Sequence, residues 1–288
     1  MPAWLMIALG LPTFGLAFAV AFVVLTYLGA LRLTGGKFGW PGFRYFWHEA
    51  LCTMFTQWIW PYGWFLGSGF GGRPAAGGGR PIVVVHGWTQ NRTNFVWLAR
   101  FLRRKGLGPF FGFNYNSYHA AEKSAKALGT FVERVRAHTG ADKVDLICHS
   151  FGGLVARVYV DMLEGHRHVR QVVTLGSPHR GVAHANPSWG PSVRDMHAEI
   201  GIARKLAALP LAPGVGYTSI YSAHDNIVFP GSVSCLGERG TDIGVAEFGH
   251  FGILFCTEVA DHVCRALTTE ASEATQRAQS PTASLSPA

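Results

Sequence analysis

The sequence predicts an α/β fold with a mostly parallel sheet covered by helices on both faces, preceded by an N-terminal membrane-associated helical segment. Apolar runs of strand length alternate along the chain with segments of helical periodicity. Several of these runs are continuously apolar, as in parallel strands that are buried on both faces. At 288 residues, the chain is long enough for one large α/β domain.

The predicted elements follow one another in the order that such a sheet needs. Strands are expected at 81–86, 110–115, 143–148, 169–175 and 217–222, with helices at 93–105, 120–138, 151–163 and 253–267. Residues around 195–209 are also expected to be helical, which allows a small lid but no large cap domain. Because the chemistry of parallel sheets lies at the carboxyl ends of the strands, the candidate residues are those that follow strands.

The N-terminal residues have the pattern of a membrane anchor. No charged side chain occurs from Pro2 to Leu31, and thirty helical residues would span roughly 45 Å, against a hydrocarbon core of about 30 Å. A cleaved signal peptide is the competing interpretation, although the segment lacks a basic n-region and an A-x-A-like site. We therefore expect an uncleaved anchor.

A second uncharged stretch runs from Ala50 to Gly72, and five of the nine Trp residues fall within 38–64. Trp favours the headgroup level of a membrane. Three interpretations stay open: an interfacial or re-entrant segment, a second span, or an apolar layer packed on the soluble domain. Since Arg32, Lys37 and Arg44 should remain cytoplasmic, the downstream domain is cytoplasmic with one span and exported with two.

The predicted organisation has four parts. Residues 1–72 form the membrane anchor and the Trp-rich interfacial segment, 73–80 a linker, 81–268 the α/β domain, and 269–288 a disordered tail. The side of the membrane and the oligomeric state are left open by the sequence.

Composition excludes several classes of partner. The net charge of +8 is spread without a long basic run, so no nucleic-acid partner is predicted. The five cysteines form no C-x-x-C pair, and their odd number excludes complete disulfide pairing. The thirteen histidines show no H-E-x-x-H spacing, so neither a metal nor another cofactor is expected to take part in the chemistry.

The strongest local signal is Cys148-His-Ser-Phe-Gly-Gly153, where a predicted strand ends and a helix begins. A serine on the sharp turn between a strand and a helix is a nucleophile elbow, which lifts the hydroxyl above the sheet. Ser150 is therefore the candidate nucleophile. The alternative is that Ser150 is merely a helix N-cap, and the strand–turn–helix context favours the elbow over it.

A serine hydroxyl needs a base, and the base needs an orienting carboxylate. Asp225 follows a predicted strand, and His250 precedes the last predicted helix, so the two complete the order Ser, Asp, His. Among the other histidines, His179 precedes the candidate acid and His224 is expected to be exposed. His250 is the predicted base and Asp225 its orienting acid.

The developing oxyanion needs two hydrogen-bond donors. The backbone N–H of Phe151 lies at the start of the predicted helix, and the second donor is expected in His86-Gly87-Trp88 after the first strand. We predict the backbone N–H groups of Trp88 and Phe151 as the oxyanion hole. The alternative for Trp88 is a core residue.

Taken together, these motifs resemble an α/β-hydrolase of the bacterial triacylglycerol-lipase and esterase type. The motifs, in chain order, are Val83-Val-Val-His-Gly-Trp88, His149-Ser-Phe-Gly-Gly153, Thr174-Leu-Gly-Ser-Pro-His-Arg-Gly181, Tyr221-Ser-x-x-Asp-x-x-Val-x-Pro230 and Gly249-His250. The resemblance covers about residues 80–267 and leaves out the N-terminal segment. The chain departs from the family pattern at Cys148, where the elbow usually has Gly, and at Ser177, which replaces a Thr.

The resemblance implies hydrolysis of carboxylic esters, with lipid-like substrates, through an acyl-enzyme on Ser150. An acyltransferase or thioesterase with the same triad, and a non-catalytic scaffold on the same fold, are the alternatives. Some related lipases carry a structural cation, and the sequence leaves that question open. The expected partners are an ester or lipid substrate and a membrane.

Overall fold

The computed structural model describes residues 3–65 and 79–269, with the side chains of all of these except 3–12 and 239. Most of the predicted linker, residues 73–78, lies outside the described residues. The predicted tail lies outside them from residue 270 onwards.

Six parallel strands form one sheet in the order β2-β1-β3-β4-β5-β6. The strands are β1 (Ile82–Val85), β2 (Phe110–Phe113), β3 (Val144–His149), β4 (Val169–Leu175), β5 (Gly216–Ser222) and β6 (Thr241–Val245). The mostly parallel sheet is confirmed, and the sequence had located its first five strands. It had missed β6, an edge strand whose residues are largely exposed or half-buried and which therefore has no continuous apolar run.

Helices cover both faces of the sheet, as predicted. α3 (Val96–Arg104) and α8 (Thr257–Thr268) pack on one face, and α4 (Ala121–Thr139) and α5 (Phe151–Arg157) on the other. The residues of β1 alternate accordingly. Val83 and Val85 point toward α4 and α5, whereas Ile82 and Val84 point toward α3 and α8. Two short helices, α6 (Pro191–Met196) and α7 (Ile202–Ala208), occupy the segment where a small lid was expected.

Two predicted helices have different boundaries in the structure. The helix expected at 151–163 ends its α-helical part at Arg157 and continues as a π-helical turn, Val158–Met162. The helix expected at 253–267 begins at Thr257, because a separate 3₁₀ turn, Gly252–Phe255, precedes it.

The N-terminal residues form a helical hairpin of α1 (Ala3–Leu33) and α2 (Phe43–Ile59), followed by the 3₁₀ turn Trp60–Trp64. The helices run antiparallel, since Gly15 of α1 approaches the ring of Trp58, while the ring of Tyr27 lies 5.6 Å from that of Trp40. Residues 13–33 of α1, with a mean hydropathy of 2.3, are long and apolar enough to cross a bilayer. Among residues 13–33 of α1, the buried side chains are those of Ala19, Val23, Tyr27 and Ala30.

This hairpin packs directly on the α/β domain. The ring of Phe55 lies 5.5 Å from that of Phe255, and the ring of His48 lies 5.7 Å from that of Phe248. Residues 50–65 of the second uncharged stretch contact the α/β domain through Phe55, while Trp58, Trp64 and Phe65 are exposed, so the choice among its three interpretations stays a prediction. Residues 66–72 of that stretch lie outside the described residues.

Candidate active site

Ser150 occupies a strained turn between β3 and α5. Its φ of 54° and ψ of −127° place it in a conformation that L-residues seldom adopt. The helix that follows comes so close to β1 that a Cβ at Gly152 would lie 2.4 Å from the carbonyl oxygen of Val85. Gly152 therefore allows the close helix–strand approach that a nucleophile elbow requires.

Asp225 and His250 are brought together from two loops at the same edge of the sheet. The Nδ1 atom of His250 lies 2.8 Å and 3.0 Å from the two carboxylate oxygens of Asp225. The backbone N–H groups of Ile227 and Val228 donate to Asp225 Oδ1 at 2.9 and 2.7 Å, which fixes the carboxylate. Both side chains are buried, so this interaction takes place out of water.

The electrostatic surroundings favour the protonated form of His250. Burial lowers its pKa, but the charge and hydrogen bond of Asp225, with the charge of Glu49, raise it above the ordinary value. The net shift is upward. The pocket therefore stabilises the imidazolium form of His250.

Ser150 lies at the same edge as this pair. The backbone N–H of Ser150 donates to the carbonyl of Leu175. Gly176, which follows Leu175, lies beside the pair, because a Cβ there would be 2.9 Å from Asp225 Oδ2 and 3.6 Å from His250 Nδ1. Within the described residues, no hydrogen bond joins Ser150 Oγ to His250. The structure thus pairs the predicted acid with the predicted base, and the contact between base and nucleophile stays a prediction.

His149, the residue before the elbow, contacts the backbone of the predicted base His250. Its Nε2 lies 2.9 Å from the carbonyl oxygen of His250, and its Nδ1 lies 2.9 Å from Gln90 Oε1. Burial lowers the pKa of His149 far below its ordinary value, so its imidazole is neutral and donates from only one of these two nitrogens. Gln90 Oε1 accepts from the backbone N–H of Gly87, so the Gln90 side chain lies between His149 and the predicted oxyanion loop.

The two predicted oxyanion donors flank the elbow. A Cβ at Gly87 would lie 2.9 Å from Ser150 Cβ, so the loop that carries Trp88 lies directly against the serine. Phe151 is the first residue of α5. In the described part of the chain, the backbone N–H groups of Trp88 and Phe151 make no hydrogen bond to other residues.

The N-terminal hairpin contributes polar contacts that the sequence did not predict. Thr26 of α1 accepts a 2.6 Å hydrogen bond from Asn226, whose Oδ1 in turn accepts from the backbone N–H of His250 at 2.9 Å. Glu49 of α2 accepts hydrogen bonds from the two residues after His250. The signal available in the sequence was that Glu49 is the one acidic residue among the first 72 and directly precedes the uncharged stretch.

The 3₁₀ turn that follows the hairpin makes hydrogen bonds with the predicted oxyanion loop and the residues after it. Trp60 Nε1 donates to the carbonyl of Thr89 at 3.2 Å, and Asn91 Nδ2 donates to the carbonyl of Trp60 at 2.7 Å. Arg92 donates to the carbonyl of Gly63 at 2.9 Å. Both loops that would act on the substrate therefore rest on residues outside the α/β domain.

Other candidate groups are placed unfavourably for catalysis. Cys148 is fully buried in the core, and burial raises the pKa of its thiol. Burial lowers the pKa of His86 to about 4, and its ring stacks on Tyr115. His224 is half-buried rather than exposed, because the Tyr27 hydroxyl donates to its carbonyl and the ring of Phe38 packs on its ring.

The described residues contain no group of three or more His, Cys, Asp or Glu side chains placed to hold a metal ion. All five cysteines lie among them and are unpaired.

Parts of this chain are similar in sequence to known lipases and thioesterases. The family model described as palmitoyl protein thioesterase matches residues 81–222. A triacylglycerol lipase of Vibrio cholerae is 30% identical over 210 residues, which cover 63% of this chain and 65% of that protein. A triacylglycerol lipase of Pseudarthrobacter phenanthrenivorans is 48% identical over 109 residues, which cover 35% of this chain and 34% of that protein.

A lysosomal thioesterase of Xenopus laevis is 27% identical over 107 residues, which cover 35% of this chain and 37% of that protein. The chain therefore spans between 34% and 65% of the length of these three curated relatives.

Two solved structures have the same architecture. The mature form of the Bacillus licheniformis lipase BlEst2 matches with a TM-score of 0.58 at 17% identity, covering 69% of this chain and 97% of that one. Lipase B of Aspergillus fumigatus matches with a TM-score of 0.59 at 16% identity, covering 69% of this chain and 54% of that one. The chain thus has the α/β-hydrolase fold. Within that fold it is similar to bacterial triacylglycerol lipases and esterases, which confirms the resemblance stated from the motifs.

Proposed function

We propose that this protein is a serine hydrolase that cleaves carboxylic esters through an acyl-enzyme on Ser150. The observation that carries the proposal is the buried pair of His250 and Asp225, with Nδ1 2.8 Å from Oδ2, at the edge of the sheet where the elbow serine lies. The similarity to triacylglycerol lipases supports an ester substrate.

In the proposed reaction, His250 Nε2 takes the proton of the Ser150 hydroxyl as its oxygen attacks the ester carbonyl. Asp225 keeps the proton of the imidazole on Nδ1 and stabilises the imidazolium. His250 then gives the proton to the departing alcohol, which leaves the acyl group on Ser150. A water molecule, activated by the same histidine, releases the acid.

The proposed oxyanion hole consists of the backbone N–H groups of Trp88 and Phe151. Their support is the position of the two residues on either side of Ser150 and the lack of competing hydrogen bonds among the described residues. Loss of one such donor typically costs about 3–4 kcal/mol in the transition state.

An aromatic cluster next to this loop supports an apolar acyl group as substrate. The ring of Trp88 lies 5.8 Å from that of Tyr118 and 6.4 Å from that of Trp189. Tyr118 and Trp189 are exposed large side chains, and Trp189 lies shortly before α6. Exposed aromatic rings near a nucleophile favour binding of an alkyl chain.

A thioesterase is the second candidate, and the palmitoyl protein thioesterase match over residues 81–222 favours it. The same triad would attack a thioester carbonyl, and only the leaving atom would differ. An acyltransferase differs in its acceptor, and a non-catalytic scaffold is disfavoured by the buried acid–base pair.

The hairpin of α1 and α2 is proposed to attach the enzyme to a membrane. Among the side chains that the structure describes, thirteen of the eighteen exposed large apolar ones lie between residues 14 and 65, in the hairpin and the turn that follows it. Such a concentration of exposed apolar surface is typical of a surface that contacts lipid or a partner. Fractionation of the full chain tests it: extraction from membranes by detergent but not by high salt or carbonate is expected, and release by carbonate would contradict it.

The enzymatic proposal is tested by a hydrolysis profile. We expect p-nitrophenyl esters with medium or long acyl chains to be hydrolysed faster than the acetate, and Ser150→Ala to abolish turnover. Acyl-thioesters of the same chain lengths are compared in parallel, and a clear preference for them would support the thioesterase. Turnover of acetyl esters alone would contradict the lipid-like substrate.

A further inference from the structure

Glu49 is the one acidic residue among the first 72, and it is completely buried. Its two carboxylate oxygens accept hydrogen bonds from the backbone N–H groups of Phe251 at 3.0 Å and Gly252 at 2.6 Å. These are the two peptide groups directly after His250. A buried carboxylate that lacks such donors would be strongly destabilising, so the position of Glu49 and the conformation of this loop depend on each other.

The loop has glycines on both sides of the histidine that make room for the carboxylate. A Cβ at Gly249 would lie 2.3 Å from the carboxyl carbon of Glu49, and one at Gly252 would lie 3.0 Å from Glu49 Oε2. Neither position accepts a larger residue unless the carboxylate moves. The segment 249–252 is therefore shaped around the side chain of Glu49.

Every backbone polar group of His250 is also held by a side chain. Its N–H donates to Asn226 Oδ1 at 2.9 Å, and its carbonyl oxygen lies 2.9 Å from His149 Nε2. Asn226 and His149 belong to the α/β domain, whereas Glu49 comes from α2. Glu49 therefore completes the fixation of the loop from outside the domain.

The charge of Glu49 affects the pKa of the predicted base His250. Burial raises the pKa of Glu49 to about 7, although its two backbone donors and nearby His250 oppose that shift. In return, the negative charge of Glu49 favours the protonated form of His250. The titratable groups that face this pair from the surrounding elements are Asp225, His149, His48, Cys52 and Tyr27.

We propose that Glu49 is a positioning residue for the catalytic base: its carboxylate holds the loop that presents His250, so the N-terminal hairpin is part of the active-site structure as well as an anchor. This inference rests on the proposed serine-hydrolase function. It implies that the α/β domain alone lacks one of the supports of its own histidine.

The test compares the full-length wild type with Glu49→Gln, which preserves the shape of the side chain but removes its charge and one acceptor. Glu258→Gln changes an exposed carboxylate of α8 and serves as the matched control. The measurements are kcat and KM on the best p-nitrophenyl ester, the pH profile of kcat/KM, and the rate of Ser150-dependent labelling by a fluorophosphonate.

We expect Glu49→Gln to lower kcat by about ten- to a hundredfold with KM little changed, because the base is misplaced while the substrate site is intact. The acid limb of the pH profile should move to lower pH, since His250 loses a negative neighbour. Labelling should slow in parallel, and Glu258→Gln should behave as the wild type.

Two results would overturn the inference while leaving the proposed function standing: a wild-type kcat in Glu49→Gln, or a reduced kcat with an unmoved acid limb, which indicates a general structural defect. Failure of the wild type to label at Ser150 would overturn both. If Glu49→Gln does not accumulate, Gly252→Ala displaces the same carboxylate and the neighbouring His48 ring. A wild-type kcat in Gly252→Ala would then contradict the proposal.

Discussion

Thr26 and Asn226 are joined by a 2.6 Å hydrogen bond across 200 residues of sequence, and the bond connects helix α1 to the loop that carries the predicted acid Asp225. The other end of the Asn226 amide accepts from the backbone of His250. One side chain thus touches both the hydrophobic N-terminal helix and the predicted catalytic base. The hairpin and the active site are consequently parts of one packed unit.

Removing the hydrogen bond between Thr26 and Asn226 should lower the stability of the folded protein. Thr26→Val deletes the acceptor and leaves Asn226 Nδ2 unpaired in a partly buried position, at a cost of about 1–3 kcal/mol. We expect the detergent-solubilised full chain with Thr26→Val to have a lower Tm than the wild type and a modestly reduced activity. Thr130→Val, at an exposed threonine of α4, is the control, and equal melting temperatures for the two variants would argue against the link.

Asp225→Asn should nearly abolish turnover without loosening substrate binding. The Asn side chain can still accept from Ile227 and Val228 through Oδ1, but its amide then faces His250 Nδ1 and forces the proton onto Nε2. A histidine in that tautomer cannot accept the Ser150 proton, so kcat should fall by about 10⁴-fold with KM almost unchanged. Steady-state kinetics measures the split, and a fall of less than tenfold would assign Asp225 no role in orienting the base.

The pH dependence follows from the direction of the His250 shift. Its pKa lies above the ordinary value, so the base becomes protonated at a higher pH than a free imidazole as the pH falls. Activity is therefore full above this raised pKa and is lost as pH drops through it. The acid limb of kcat/KM should lie above about 6.5, and it should move to lower pH in the residual activity of Asp225→Asn.

The assay must use an ester that does not ionise over this pH range, so that the fall in kcat/KM at low pH reflects ionisation of the enzyme and not of the substrate. A limb below about 6.5 in the wild type would contradict the assignment of His250 as the base.

Gly152→Ala should prevent the elbow from forming. The added Cβ would meet the carbonyl oxygens of Val85 and His86 at 2.4 and 2.6 Å, contacts that backbone atoms cannot relieve easily. We expect a loss of stability of more than about 2 kcal/mol in urea unfolding, with loss of activity. Gly140→Ala is unsuitable as a control because of its positive φ, whereas Gly29→Ala meets no atom within 4 Å and should be tolerated.

Much of the α/β domain was predictable because its signals are local. Apolar runs of strand length indicated β1 to β5, and the strand–turn–helix context of Ser150 indicated the elbow. β6 was not predictable in this way, since Thr241 and its neighbours form a partly exposed edge strand. The order Ser150, Asp225, His250 led to the buried acid–base pair because the fold constrains which loops meet.

The role of the N-terminal hairpin could not be read from the sequence for a physical reason. Apolar residues on all sides of a helix indicate burial or lipid contact, but not which surface is buried against protein. The contact of Glu49 with the backbone of Phe251 spans 202 residues and follows no periodic pattern. Only the three-dimensional packing reveals that Ala19, Val23 and Tyr27 form the buried side of α1 in the described part of that helix.

The most direct test of the central claim is to map the adduct of a fluorophosphonate probe by peptide mass spectrometry on the full chain. The account predicts one stoichiometric adduct on the peptide that contains Ser150, its absence in Ser150→Ala, and a strongly reduced rate of formation in His250→Ala. An adduct on another residue, or labelling that is unaffected by either substitution, would contradict it.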